Sequence, residues 1–522
     1  MSRARKRGRK RHERSRRRAA DKPEFDLGLL IVHGIGRQAR GDTLRAFVEP
    51  LTTFVADGLA VSADAVGIFE RVGDDRPSGR RHCVELQFSG LDGGRAVPVR
   101  QRWLATECYW DDVVATDDLQ SLWLWLVRVF PWLLMWQVRS SVTAGLVARF
   151  TSGGRWLNPL TWFAFFCNLF WSLMVRAVVS TVFLAAAVAF TPALVVSAVS
   201  RTERLPRLAR ALTNVMFATL GDAEAFVSRP DVAAAMQARF AEDFGWLRQQ
   251  ARSVVVVAHS QGAALTYQAL RASPPESLAS LQGVFCMGSG LGPLSGAAAP
   301  SRSFALSMAT LMIALPGFVA LPTALIPVAV LAALSVVAIT ALIATLALLP
   351  LGVLVAPREA ARGIADIVQG LAGRYGDGLA QNADLLTVAV VLAVPAFAVT
   401  LRAERRRRLI PPVPRDRWIE YCSPLDPVSL GTRPGEHATF VRVVNLRGLQ
   451  VFREHTSYFA NDRELLPDLC ERLSGWMSIA LPGRADATPI PRESRTVTRL
   501  VLAAPSILTI FGFLVGRLLR LW

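Results

Sequence analysis

The sequence predicts an α/β fold, a mainly parallel sheet flanked by helices and interrupted by apolar helical insertions. Three observations carry this reading. Short runs of strand-forming residues recur, with D-L-G-L-L-I-V at 26–32 and S-V-V-V-V-A at 253–258 the clearest, each running into a tight or Gly-rich turn. Long stretches almost free of charge lie between such runs. The composition agrees: of 522 residues 52% are hydrophobic and only 19% charged, with a mean hydropathy of +0.33. A soluble domain carries about 25% charged residues.

Taken in order, residues 1–24 form a basic tail expected to be disordered. Eleven Lys or Arg and one Glu fall in the first twenty residues, more than half of the net charge of +18. No aromatic residue interrupts the run to stack on bases, so nucleic acid is not the expected partner. Anionic lipid, or a role as a positive-inside signal, fits better. The apolar run at 27–32 is too short for the core of a signal peptide, so none is expected.

Residues 25–118 read as the first part of the α/β core. The run at 27–32 is a buried strand ending in H-G-I-G. Residues 84–88 and 102–110 alternate as strands do, and the stretch 67–81, rich in Gly, Asp and Arg, reads as a loop. Residues 119–200 are a membrane-associated insertion. Trp123, Trp125, Trp132 and Trp136 suit a membrane–water interface. Residues 177–199 are long enough to span, since about 20 apolar residues suffice.

Core sequence resumes over 201–300. One amphipathic helix is expected at 222–248, then strands at 253–258 and 283–287. Residues 301–402 form a second insertion, with no charge from 304 to 356 and a further candidate span at 385–401. The R-A-E-R-R-R-R run that follows marks a cytoplasmic side. Residues 403–484 return to the core, with strands at 417–422 and 439–446. Residues 485–522 read as a linker and C-terminal anchor, the apolar part at 500–515.

Chemistry concentrates in V-V-V-V-A-H-S-Q-G-A-A-L. A buried strand, a tight turn and a helix-like segment place Ser260 where a nucleophile elbow would. Such a turn admits only small residues two places either side of the serine, here Ala258 and Gly262. It also puts the Gln261 backbone N–H at a helix start, where an oxyanion could be stabilised. An unaided serine is a poor nucleophile and needs a base. The chain has six histidines. His12 lies in the tail, His259 adjoins the serine and is expected to turn away, His33 belongs to H-G-I-G, and His82 precedes the nucleophile. Against the chain order Ser, acid, His that accompanies this turn, His437 and His455 remain, and His455 is favoured as a loop residue after the last strand. For the acid, Asp426 follows a predicted strand in L-D-P-V-S. Glu436 is the runner-up, with Asp416 before the strand and Asp462 after the histidine. H-G-I-G fits the second half of an oxyanion hole through Gly34 and Ile35, the Ile35 N–H being the favoured donor.

In this order, H-G-I-G-R-Q, A-H-S-Q-G, L-D-P-V-S and E-H-T-S-Y resemble lipases and esterases of the α/β-hydrolase fold, and look closest to bacterial membrane members of that superfamily. The resemblance covers about half the chain. It implies Ser260 as nucleophile, Asp426 as acid and His455 as base, with no metal and no organic cofactor. The expected protein is thus an integral membrane serine hydrolase of the plasma (inner) membrane. Its catalytic domain would face the cytoplasm and act on a lipid or acyl-ester substrate. An acyltransferase with the same triad, or a scaffold that keeps the fold without activity, are the alternatives. The six cysteines include no C-x-x-C pair and read as buried free thiols.

Overall fold

The computed structural model describes residues 23–36, 38–58, 66–76, 79–89, 100–114, 121–129, 132–133, 136, 220–298, 410–423, 426, 428–429, 438–443, 451–477, 481 and 488–489. The expected spans at 177–199, 304–356, 385–401 and 500–515 lie outside these residues. No helix among the described residues is long and apolar enough to cross a membrane.

The architecture is α/β. Among the described residues nine strands form one sheet in the order β2-β3-β4-β1-β5-β6-β7-β8-β9. They are β1 Phe25–Val32, β2 Val66–Arg76, β3 Gly79–Ser89, β4 Arg100–Cys108, β5 Ala251–His259, β6 Leu281–Met287, β7 Trp418–Cys422, β8 Thr439–Arg442 and β9 Thr488–Pro489. The strands from β4 to β8 pair in parallel, whereas β2, β3 and β9 pair antiparallel at the edges. The helices are α1 Asp42–Gly58, α2 Asp222–Ser228, α3 Pro230–Gln250, α4 Gln261–Ala272, α5 Leu291–Ala297, α6 Val451–Thr456 and α7 Leu465–Met477.

Period-2 alternation decides which face each strand residue serves. Leu27, Leu29 and Ile31 of β1 join Val255 and Val257 of β5 and Phe285 and Met287 of β6 in one core. Leu44, Phe47, Leu51 and Val55 of α1 and Leu465, Leu469 and Leu473 of α7 complete it. The opposite face, Leu30, Val254, Val256 and Ala258, is equally buried. Burial on both faces explains why β5 reads as an unbroken valine run. The register carries Val32 beside Ala258, Ala258 beside Cys286, and Met287 beside Tyr421. The carboxyl ends of β1, β5, β6 and β7 therefore lie level along one rim, where α/β sheets place their sites.

Several expectations are corrected. The stretch 67–81 is no loop, because β2 and β3 pair across it as an antiparallel hairpin at the sheet edge. Edge strands tolerate the charges and glycines that argued for a loop, and pairing overrides local propensity. The single helix expected at 222–248 is two, broken at Arg229 ahead of Pro230. Arg229 is extended, as the residue before a proline prefers. The strand expected at 439–446 is described only to Arg442. Trp125, Trp132 and Trp136 are buried, and a Cβ at Gly296 would meet the Trp132 ring.

The chain divides into two compact units. One comprises residues 1–122, 189–295 and 409–492 and holds the sheet. The other comprises residues 123–188, 296–408 and 493–522. Cys83, Cys108, Cys286, Cys422 and Cys470 are buried free thiols.

Glu420 lies inside β7, fully buried, and accepts a hydrogen bond from the Trp418 indole at 2.8 Å. Burial pushes its carboxyl up to about 7, against the opposing pull of Trp418 and Ser289. The folded chain therefore holds this proton where the unfolded chain has lost it. The resulting stability is full below the ordinary glutamate pKa of about 4.5, falls as pH rises, and is gone above about 7. The difference amounts to about 3 kcal/mol. Glu420→Gln, neutral at every pH, should unfold at the wild-type midpoint at pH 4 and at a higher one at pH 8. Thermal melts at the two pH values measure this, and an equal offset at both would mean that folding leaves the Glu420 pKa unshifted.

Candidate active site

Strand β5 ends in a turn that local geometry makes unusual. Ser260 has φ 52° and ψ −120°, the only positive φ at a non-glycine position among the described residues. Such a conformation costs about 1–3 kcal/mol and persists only where the surroundings impose it. Here Ser260 N–H donates to Met287 O at 3.0 Å, and Gly290 N–H donates to Ser260 O at 2.8 Å. The loop after β6 thus grips the turn from one side. On the other, a Cβ at Gly262 would stand 2.5 Å from Val32 O and 2.6 Å from His33 O. Only glycine lets α4 start so close to the end of β1. Ala258 is fully buried, and the methyl group is accommodated there.

The structure brings Ser260, His455 and Asp426 together. The Ser260 hydroxyl donates to His455 Nε2 at 2.9 Å, and His455 Nδ1–H donates to the Asp426 carboxylate, 3.0 Å from both oxygens. Ser260 and Asp426 are buried and the His455 side chain is 15% exposed. Ser260 comes from the end of β5, Asp426 from the segment after β7, and His455 from α6 after β8. The expectation of a loop histidine is corrected, since His455 sits in a six-residue helix.

Asp426 is more tightly held than its place in a turn suggested. Besides His455 it accepts from Val428 N–H at 2.7 Å and from the Tyr458 hydroxyl at 2.7 Å. Burial alone would raise its pKa. The neighbouring His455, the Val428 N–H and the Tyr458 hydroxyl outweigh burial and hold the carboxyl well below the usual carboxylate range. Burial and the charge of Asp426 in turn push the Tyr458 phenol well up, so it remains a donor. Tyr458 also accepts from Ser423 N–H at 2.9 Å. Tyr458→Phe removes the donor to Asp426 and the acceptor for Ser423 together. It should cost about 1–3 kcal/mol, the penalty for stranding buried polar groups, read as a lower denaturant midpoint at an unchanged slope.

The other histidines fall into place by burial. His33 is fully buried and stacked on Trp110 at 4.3 Å. Its Nδ1–H donates to Gly34 O, and its Nε2 accepts from Trp110 N–H. Burial lowers its pKa to about 4, so it is a neutral structural ring. His259 is likewise lowered to about 4, by burial and by the adjacent His455. Its Nε2–H donates to His455 O at 2.8 Å, and its ring lies 4.9 Å from that of His455. His259 therefore supports the histidine bonded to Ser260. His82 lies on β3 beside Gly41. Asp416 occupies the turn before β7, and Asp462 follows His455 without bonding it. His12, His437 and Glu436 lie outside the described residues.

Of the expected oxyanion donors, Gln261 opens α4 and is fully buried. The first N–H groups of a helix have no partner within it. Gly34 is beside the serine, since a Cβ there would meet the Ser260 Cβ at 2.6 Å. The Ile35 N–H donates to no acceptor among the described residues. Residue-by-residue reading of the sequence missed Gly288. It has φ 57°, and a Cβ there would stand 2.8 Å from the Tyr458 ring and 2.9 Å from both Asp426 Oδ2 and His455 Nδ1. A glycine two places before another, directly after a buried strand, was the available signal. Among the described residues no group of three or more His, Cys, Asp or Glu could hold a metal ion.

Comparison with family models, with curated proteins and with solved structures returns no match.

Proposed function

We propose that the chain is a serine hydrolase of the α/β-hydrolase type. The observation that carries this is the unbroken hydrogen-bonded series Ser260–His455–Asp426, at the carboxyl rim of a parallel sheet with Ser260 in a strained turn. The same constellation recurs on unrelated folds and is recognised by its geometry and roles. Its substrate is a carboxylic ester or thioester, of lipid-like character. The charge-poor stretches at 160–199 and 304–356 and the basic tail support a bilayer setting, the inner membrane with the site facing the cytoplasm.

In this reading His455 Nε2 takes the hydroxyl proton as Ser260 Oγ attacks the acyl carbon. Asp426 fixes the tautomer, with the proton on Nδ1, and stabilises the imidazolium that forms. Backbone N–H groups of Gln261 and of residues 34–35 receive the developing oxyanion. His455 then protonates the leaving alcohol or thiol, and the acyl group remains on Ser260. Water, deprotonated by His455, attacks the acyl-enzyme and releases the acid. An alcohol in place of water gives acyl transfer with the same groups. This sequence of steps calls on no metal and no organic cofactor.

Fluorophosphonate labelling of the detergent-solubilised full-length protein tests the proposal. One adduct per chain, on the peptide containing Ser260 and absent after heat denaturation, is expected. A folded protein left unlabelled would overturn the reading in favour of a scaffold that retains the fold.

A further inference from the structure

The two donor groups of an oxyanion hole must be held at fixed separation, because stabilisation depends on where each N–H stands when charge develops. Here they come from distant parts of the chain. One is Gln261, anchored at the start of α4. The other belongs to the H-G-I-G loop after β1, a segment with two glycines in which Gly36 has φ 112°, a conformation that favours glycine. Such a loop has little intrinsic rigidity, so something else must fix it.

Asp222, the first residue of α2, meets both. Its Oδ2 accepts from Gly36 N–H at 2.8 Å, and its backbone carbonyl accepts from Gln261 Nε2 at 3.2 Å. It is buried at 3% exposure, 186 residues from the first partner and 39 from the second. A buried carboxylate bonding a loop amide is a strong contact, about twice the strength of a neutral one. We infer that Asp222 is a positioning residue that holds the loop-side oxyanion donor in register with the Gln261 N–H. The inference rests on the serine hydrolase reading.

Asp222→Ala removes the loop anchor but keeps the backbone carbonyl for Gln261. Asp222→Asn keeps an acceptor for Gly36. Full-length wild type and both variants are titrated to completion with fluorophosphonate, which counts competent sites. Turnover of a p-nitrophenyl ester and the labelling rate are then expressed per competent site. The Ala variant should lose about 10- to 100-fold in kcat per site with KM within about threefold, and the Asn variant should recover most of it. A purely architectural role would lower the number of competent sites and leave the rate of each unchanged, and that result would overturn the inference. If the Ala variant does not fold, Asp222→Glu carries the same test. It keeps the charge but displaces the carboxylate by one methylene, and its rate per site should fall at least about tenfold. A wild type that never labels would instead remove the hydrolase reading, and the assignment with it.

Discussion

Ester hydrolysis by the Ser260→Ala protein is expected to fall by about 10⁶, and by the Asp426→Asn protein by about 10⁴, with both variants as well folded as wild type. The two losses have different origins. Alanine removes the attacking oxygen itself. Asparagine keeps the shape of Asp426, and its single carbonyl oxygen can still accept from the Val428 N–H, while the Tyr458 hydroxyl, which loses its acceptor oxygen, can turn to Ser429 Oγ. Facing His455, however, its amide N–H₂ would donate to Nδ1, and the ring proton would move to Nε2. In that tautomer His455 cannot accept from Ser260, and the 2.9 Å contact proposed to activate the hydroxyl is lost. Measuring kcat on a p-nitrophenyl ester beside the far-ultraviolet dichroism of each variant checks this. Wild-type turnover by the Asn variant would show that Asp426 only braces the turn around it.

Gly288→Ala should be nearly as damaging although it deletes nothing. The backbone there is left-handed, which costs a non-glycine residue about 1–2 kcal/mol. The added methyl group would also lie under 3 Å from three members of the site at once. None can easily yield. Tyr458 and Asp426 are fully buried, and His455 is held between Asp426 and the His259 ring. Gly288 itself is pinned through its N–H to Tyr421 O at 3.1 Å. The methyl group therefore separates His455 from Asp426, and activity should drop about 10³-fold, more than tenfold beyond any loss of folded protein. A Gly288→Ala protein with wild-type kcat would mean that the loop after β6 shifts freely, against the contacts drawn here.

What was legible beforehand follows from physical locality. The valines of β5 and the small residues around Ser260 state a buried strand and a cramped turn within a dozen positions. All six parallel strands were legible for the same reason. Chain order and elimination narrowed the histidines to His437 and His455 and the acids to Asp426 and its neighbours, and the fold sets His455 and Asp426 against Ser260. Helix α6 was not legible, because six residues are too few to show an apolar period. The β2–β3 hairpin was missed because an edge strand need not be apolar. Gly288, Tyr458 and Asp222 act through partners remote in sequence. Asp222 looked like one more acid on an amphipathic helix, and only the fold sets it against Gly36.

The parallel part of the sheet tapers. Strand β5 has nine residues, β6 seven, β7 five and β8 four, with the two-residue β9 closing that edge. Ser260 hangs from the long, doubly covered middle, whereas Asp426 and His455 hang from the short end. Backbone amides near Val256 should therefore exchange with solvent only through global opening, while those of β8 exchange through local fraying. Under mild denaturant His455 and Asp426 would drift from Ser260 while the central strands still hold. The proposed reactivity would then be lost before the fold.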